Sequence, residues 1–166
     1  MIKKFLLFVL VMFPVVSFAQ EAKIAYVNYS EVAYAMPEYK QMIDSLQKKD
    51  QQFQTEMKSI NDEYTKKYSD FIAVQETLDE SIKIRRYQEI ENIRVSAENF
   101  QQVASQQMEE LQNALMTPVT NKLQKAVDEI GSENNFLYIL DSTVLRYTSP
   151  SATNATPLVK RKLGIQ

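Results

Sequence analysis

The side chains that could do chemistry in this sequence are carboxylates, hydroxyls and lysines, because histidine and cysteine are both absent. That excludes a thiol nucleophile, an imidazole base and the usual zinc sites. A carboxylate-only site remains formally open, but the acids lie scattered along helix faces among lysines, the pattern of a solvated surface. No nucleophile can be placed beside a base, and no metal cluster can be assembled. The expectation is no enzyme, no cofactor and no metal site. Asn28-Tyr29-Ser30 and Asn154-Ala155-Thr156 fit the glycosylation acceptor pattern, which is short enough to arise by chance, and Pro157 follows the second.

What must be positioned is therefore a surface. From Pro37 to about Leu115 the chain contains no glycine and no further proline. Tyr39, Ile43, Leu46, Phe53, Met57, Ile60, Tyr64, Phe71, Val74 and Leu78 recur three and four apart, interrupted only by Asp50 and Lys67. A 3-4 alternation is a narrow seam along which one long helix packs on another. Ile90, Ile93, Ala97, Phe100, Ala104, Met108, Leu111 and Leu115 continue it more weakly, with a step of four at Ala104 to Met108 that reads as a stutter. Thr77-Leu78-Asp79-Glu80 has the form of a capping box. The runs on its two sides are nearly equal, so they suit an arm that goes out and back, each half reaching about 57 Å at about 1.5 Å per residue. The turn lacks the glycine common at a helix end, so an unbroken helix paired with a second chain also satisfies the pattern.

The first residues have the form of an export signal. Lys3-Lys4, an apolar run from Phe5 to Val16 and Ser17-Phe18-Ala19 before Gln20 predict a signal peptide over residues 1–19. The run is too short for an ordinary membrane span, and no cysteine follows it to carry a lipid. The expected product is exported and soluble. Of the 19 basic residues, the loss of Lys3 and Lys4 leaves 17 against 21 acidic ones, a net charge of −4. That balance argues against general nucleic-acid binding, which needs surplus positive charge.

Around the arm lies a smaller body, residues 20–36 and 116–166. Lys23 to Asn28 reads as a strand, with Ile24 and Tyr26 on one face and Ala25 and Val27 on the other. Ser30 is placed to cap a one-turn helix ending before Pro37. Thr117-Pro118 is expected to start a new helix carrying Val119, Leu123, Ala126, Val127 and Ile130, ended by Gly131. Phe136 to Leu140 reads as a strand covered on both faces, and Val144-Leu145-Arg146-Tyr147 as its hairpin partner. Thr156-Pro157 caps a last short helix ended by Gly164. So small a body, in two pieces and with open sheet edges, predicts an oligomer in which sheets join. Its expected core is Ile24, Tyr26, Val27, Leu137, Ile139, Val144 and Leu145. The fold class is α+β and mostly α: a long helical hairpin, 37–115 with its tip near 74–82, on a small β-containing body.

At this point the sequence resembles the Skp/OmpH family of periplasmic chaperones over nearly all of its mature length. The resemblance rests on Lys23 to Asn28, on Ala35-Met36-Pro37-Glu38-Tyr39-Lys40, on the long arm, and on Tyr138 to Ser142 and Leu158 to Ile165. It implies a homotrimer whose strands form one small barrel, with three hairpins around a cavity. There unfolded outer-membrane proteins are held without ATP, in the periplasm. Two departures stand out. Asn154-Ala155-Thr156 occupies the place where the family often has Asp-Ile-Thr. Residues 62–91 carry five basic and eight acidic side chains, where better-known members have strongly basic arms, so a grip on lipopolysaccharide is not expected.

Apolar residues off the seam are the candidates to touch a client: Met42, Tyr68, Ile72, Ile84, Tyr87, Val95 and Val103. Tyrosine and methionine suit a variable partner, being amphipathic or adaptable. The rival expectation is a coiled-coil spacer or adaptor of the cell envelope.

Overall fold

The computed structural model describes residues 23–165; the signal peptide expected over 1–19 lies outside them. In chain order the elements are β1 (Ile24–Val27), α1 (Tyr29–Ala35), α2 (Pro37–Val74), a 3-10 turn (Gln75–Thr77), α3 (Glu80–Asn134), β2 (Tyr138–Asp141), a second 3-10 turn (Ser142–Val144), β3 (Thr153–Asn154) and α4 (Thr156–Lys162).

The apolar seam joins α2 to α3. Phe53 meets the Phe100 ring edge-on at 5.8 Å, Lys67 reaches Glu89 at 3.7 Å, and Glu38 pairs with Lys122. Partner numbers fall along α3 as they rise along α2, so the chain doubles back at residues 75–79. The turn is not the expected capping box. Thr77 Oγ1 donates to the Val74 carbonyl, and Asp79 is the N-cap of α3 without a side-chain bond. Its carbonyl accepts from the Ile82 and Lys83 amides instead.

α3 has 55 residues against 38 in α2. The surplus of 17, about 25 Å at about 1.5 Å per residue, carries the chain past its starting point and across the whole body. The helix runs straight through Pro118, where the sequence predicted a break. Proline removes one ladder hydrogen bond, a cost of about 3 kcal/mol in a helix interior. The acceptor left over is the Ala114 carbonyl; the hydroxyls of Thr117 and Thr120 bond other carbonyls of that stretch, those of Asn113, Met116 and Thr117, so the loss is offset by packing. Val119 and Leu123, 1% and 3% exposed, lock the next turn into the core. Gly131 does not end the helix either; a Cβ there would stand at ordinary contact, 3.5 Å from Ile139 Cδ1. The end falls at Asn135, left-handed at φ 55°, where the Phe136 amide returns to the Gly131 carbonyl. Asparagine tolerates that conformation better than most residues.

Because α3 overshoots, β2 begins at the same end of the body as β1, and the two pair in parallel, Ile24 with Tyr138 through Val27 with Asp141. β3 pairs in parallel on the other side, giving the order β2-β1-β3. The predicted hairpin is thereby corrected. Ser142–Val144 forms a 3-10 turn and Leu145 to Tyr147 joins no strand. A parallel neighbour needs a long crossover, and here the two long helices supply it.

The core sits where α3 crosses the sheet: Ala25, Val27, Val32, Met36, Val119, Leu123, Ala126, Val127, Ile130, Ala155 and Val159. Caps close it. Asn28, not Ser30, caps α1, accepting from the Glu31 amide at 3.0 Å. Asn154 accepts from the Thr156 amide at 2.9 Å, while the buried Thr156 Oγ1 accepts from the Asn28 amide at 3.0 Å. Thr156 is thus a strand-to-helix tie rather than a cap. Gly164, φ 71°, ends α4 as expected.

Candidate functional site

Neither a metal-holding cluster of acids nor a helix apolar enough to cross a membrane occurs among the described residues. The candidate site is the surface of the α2/α3 pair. Two helices share one interface, so each buries only a stripe. Among residues 37–115 only Met42 and Ile90 are buried, and the other seam residues are half-covered or exposed. At the two polar interruptions, Lys49 rather than Asp50 leans on the seam, with Nζ 4.5 Å from the Phe53 ring. Lys67 is held there by Glu89. Val74, expected on the seam, is exposed.

Of the contact candidates, Tyr68, Ile72, Ile84, Tyr87, Val95 and Val103 are all exposed, Tyr87 most at 63%. Met42 is not among them; at 3% exposure it is enclosed. Tyr39, Met42, Ile43 and Leu46 follow the i, i+3, i+4, i+7 stripe of an ordinary globular helix, so near the body the seam widens and takes in Met42. Ile84 and Tyr87 come together with Phe71 in a groove of about 490 Å³, flanked by Glu80, Lys83 and Glu91. Tyr68 and Ile72 do not line it. Tyr68 instead stacks on Tyr64, centroids 6.0 Å apart and ring planes nearly parallel.

Phe71 has a role that its seam position concealed. It also lines a second cleft of about 640 Å³ with Val74, Leu78 and Ile90, so apolar space flanks it on both sides. A larger groove of about 1140 Å³ lies mid-arm, between Phe53 and Met57 on one helix and Ala97, Phe100, Ala104 and Met108 on the other. Its signal was present in the sequence: Ala97 and Ala104 are small residues at seam positions that face large ones. Beside it Arg94 is clamped by Glu91 and Glu98, which push its guanidinium further up, while its hydrogen bond to Glu91 keeps that carboxyl below the usual range.

The expected oligomer core divides in two. Val27 is wholly buried in the chain's own core, because the face shared by Ala25 and Val27 points at α3. Tyr26, Ile139 and Leu145 are half-covered. Ile24, Leu137 and Val144 are exposed, together with Tyr138, Leu140 and Tyr147, which the sequence reading left out. So β2 is not covered on both faces within one chain, and its outer edge has no strand partner among the described residues. Beside it, a groove of about 700 Å³ separates β2 from the end of α3. Tyr29 borders it; burial and then Asp128 push its phenol up, and its hydroxyl donates to Gln124 at 3.2 Å.

A family model described as Outer membrane protein (OmpH-like) matches residues 23–163, the body and the arm alike. The chain belongs to the OmpH-like family. No curated protein matches it. A solved structure, that of a candidate outer membrane chaperone (OmpH-like) from Caulobacter crescentus CB15, superposes with a TM-score of 0.75 over 84% of this chain and 82% of that one. The identity between them is 12%, so the OmpH-like arrangement of arm and body is shared while most of the residues that line its surfaces are not.

Proposed function

We propose that this OmpH-like chain is an ATP-independent holdase that binds unfolded outer-membrane β-barrel proteins in the periplasm and keeps them from aggregating. The observation that carries the reading is the incompletely covered arm, with Tyr68, Ile72, Ile84 and Tyr87 exposed around the shared Phe71 near the turn. Unfolded barrel strands present alternating apolar faces that would pair with one another. Many shallow contacts shield such faces and still release them without fuel. Membership of the OmpH-like family and the likeness to a candidate outer membrane chaperone support this reading.

The working unit in this proposal is a homotrimer. Residues 20–36 and 116–166 build a joint barrel, and residues 37–115, with the tip near 74–82, hang from it as hairpin arms around a cavity. The open edge of β2 and the exposed Leu137, Tyr138, Leu140, Val144 and Tyr147 support the assembly, since exposed strand edges and apolar patches seek partners. Residues 1–19 act as the export signal.

The test replaces Tyr68, Ile72, Ile84 and Tyr87 together by serine and follows light scattering of a diluted, urea-unfolded barrel protein without ATP. Suppression should fall several-fold while the oligomer keeps its mass; unchanged suppression removes the assignment. Separately, Tyr138→Ser with Leu140→Glu should convert the oligomer to monomers. An unaltered mass would show that copies do not meet there. The smooth run of half-covered seam residues also suits a spacer or adaptor. Co-purification separates the two, because a holdase brings down a mixture of membrane proteins and an adaptor brings down one partner in fixed ratio.

A further inference from the structure

Two stretches of the body have backbone groups without partners. The Leu137 amide donates to the Lys23 carbonyl at 2.8 Å, and in a parallel pair alternate residues turn their backbone groups to the same neighbour. The amides and carbonyls of Tyr138 and Leu140 therefore point away from β1, along an edge with no partner strand among the described residues. The second stretch follows the 3-10 turn. Leu145 is extended, at φ −81° and ψ 127°, and the amides of Arg146 and Tyr147 reach no backbone carbonyl among the described residues. Val144 and Tyr147 are exposed, and β-branched and aromatic side chains suit a strand. Residues 144–147 cannot lie parallel to β2 of their own chain. A parallel neighbour needs a crossover of about a dozen residues, and only Ser142 and Thr143 separate the two.

The flank of the open edge matches those residues. Ile139 and Asp141 pair with Ala25 and Val27, which are buried under α3, so both turn to the side of the groove of about 700 Å³ between β2 and the end of α3. Val127, Phe136 and Ile139 line it with apolar surface. Its charges stand apart: Lys23 is beside Leu137 at the start of β2, and Asp128 is beside Tyr29 near the end of β2. Burial, then Asp128 and Asp141, push the Tyr29 phenol up, in keeping with both carboxylates lying at that end. Asp128 accepts from Gln124 at 2.7 Å and Asp141 from the Thr143 amide at 3.0 Å. Neither has a cation at ion-pair distance among the described residues, and exposed Arg146 has no acid there. We infer that residues 144–147 of a second copy lie parallel on the open edge of β2, with Arg146 seated at Asp141 and Asp128. Val144 and Leu145 then stand beside Ile139 and Leu140. An antiparallel copy with the same ion pair would leave both of them off the end of β2. The contact runs head to tail, each copy giving its segment to one neighbour and its β2 to another, and such contacts close into rings. The inference deepens the homotrimer of the holdase proposal and rests on it.

The sequence contains no cysteine, so introduced thiols report the contact directly. Neighbouring strands lie about 4.8 Å apart, within disulfide reach. Mature chains carrying Leu140→Cys and mature chains carrying Leu145→Cys are unfolded together, refolded and mildly oxidised. Denaturing electrophoresis should show a linked pair of one chain of each kind, and neither variant alone should link. Linking by Leu140→Cys alone would show β2 pairing with β2, which overturns the inference. Charge gives a second reading. Arg146→Glu and Asp141→Arg should each weaken self-association about 10-fold, followed by light scattering on dilution, and the two combined in one chain should recover to within about threefold of the wild type. An oligomer of unchanged mass that forms no mixed link, or charge variants without effect or without mutual rescue, overturns the pairing and leaves the assembly standing. A wild-type protein that is monomeric at every concentration overturns the assembly itself.

Discussion

The body and the arm are held together by different means, although both are built mainly on α3. In the body, α3 meets a sheet, α1 and α4, and eleven side chains with exposures of 5% or less form one cluster. In the arm the same helix meets only α2, and its large residues remain half-covered. Burial stabilises by about 25 cal/mol per Å² of apolar surface, so a one-sided interface stabilises each residue less. Polar closure follows the same division. The body is tied across the chain by Asn28 with Thr156, Glu31 with Lys160 at 2.7 Å, and Lys162 with Glu129 and Glu133. Several arm pairs join residues three or four apart on one helix, as Arg94 does with Glu91 and Glu98. Such pairs stiffen a helix but do not fasten it to its neighbour. A well-packed anchor and a one-sided surface thus share one helix, the difference being how many neighbours surround each turn.

The contrast can be broken most sharply in the body. Val119→Asp places a carboxylate at 1% exposure and should cost about 4 kcal/mol or more, abolishing the cooperative thermal transition in circular dichroism. A folded variant would mean that the body opens more easily than its packing implies. Thr156→Val leaves the Asn28 amide without its acceptor and should lower stability by about 1–3 kcal/mol in urea titration.

In the arm, Phe100→Ala removes the edge-on ring contact with Phe53. It should cost about 1–2 kcal/mol, expressed as faster amide exchange in residues 50–60 and 93–105, with the body amides unmoved. Accelerated exchange in both regions would show one cooperative unit in place of two. Gly131→Ala works in the opposite direction. The site lies in the last turn of α3, helical in its backbone and with room for a methyl group, so the melting temperature should rise, by about 0.5–1 kcal/mol of stability.

The smallest effect concerns pH. The hydrogen bond from Lys162 holds the Glu129 carboxyl below its ordinary value of 4.5. A lowered folded-state value means that its contribution is present above the ordinary value and lost as pH falls through the lowered one. The melting difference between the wild type and Lys162→Met should therefore be visible at neutral pH and be lost in acid, as pH falls below 4.5 through the lowered value. A difference that persists in acid would show that Lys162 acts through its aliphatic stem.

Much of this division could be read from single residues. The 3-4 spacing from Tyr39 to Leu78 and from Ile90 to Leu115 is a local record of one interface, and Ile24 to Val27 and Tyr138 to Leu140 carry strand character in their own side chains. The absence of histidine and cysteine removed most catalytic chemistry before any geometry was known. Gly164, a residue free to adopt positive φ, marked the end of α4 unaided. These features depend on nearest neighbours along the chain, and nearest neighbours are what a sequence displays.

Tertiary structure decided the rest. Pro118 and Gly131 carry local signals for helix breaks, yet α3 passes through both, because Val119, Leu123 and Ile130 on the same helix are buried against partners remote in sequence. Strand direction followed from the overshoot of α3 relative to α2, a difference in length that no individual strand contains. Met42 went inward because the seam widens beside the body, and Phe71 borders two clefts, one shared with Leu78 and Ile90 and one with Ile84 and Tyr87. In each case the outcome was set by the total surface buried among distant segments, and that sum exists only once the chain has folded.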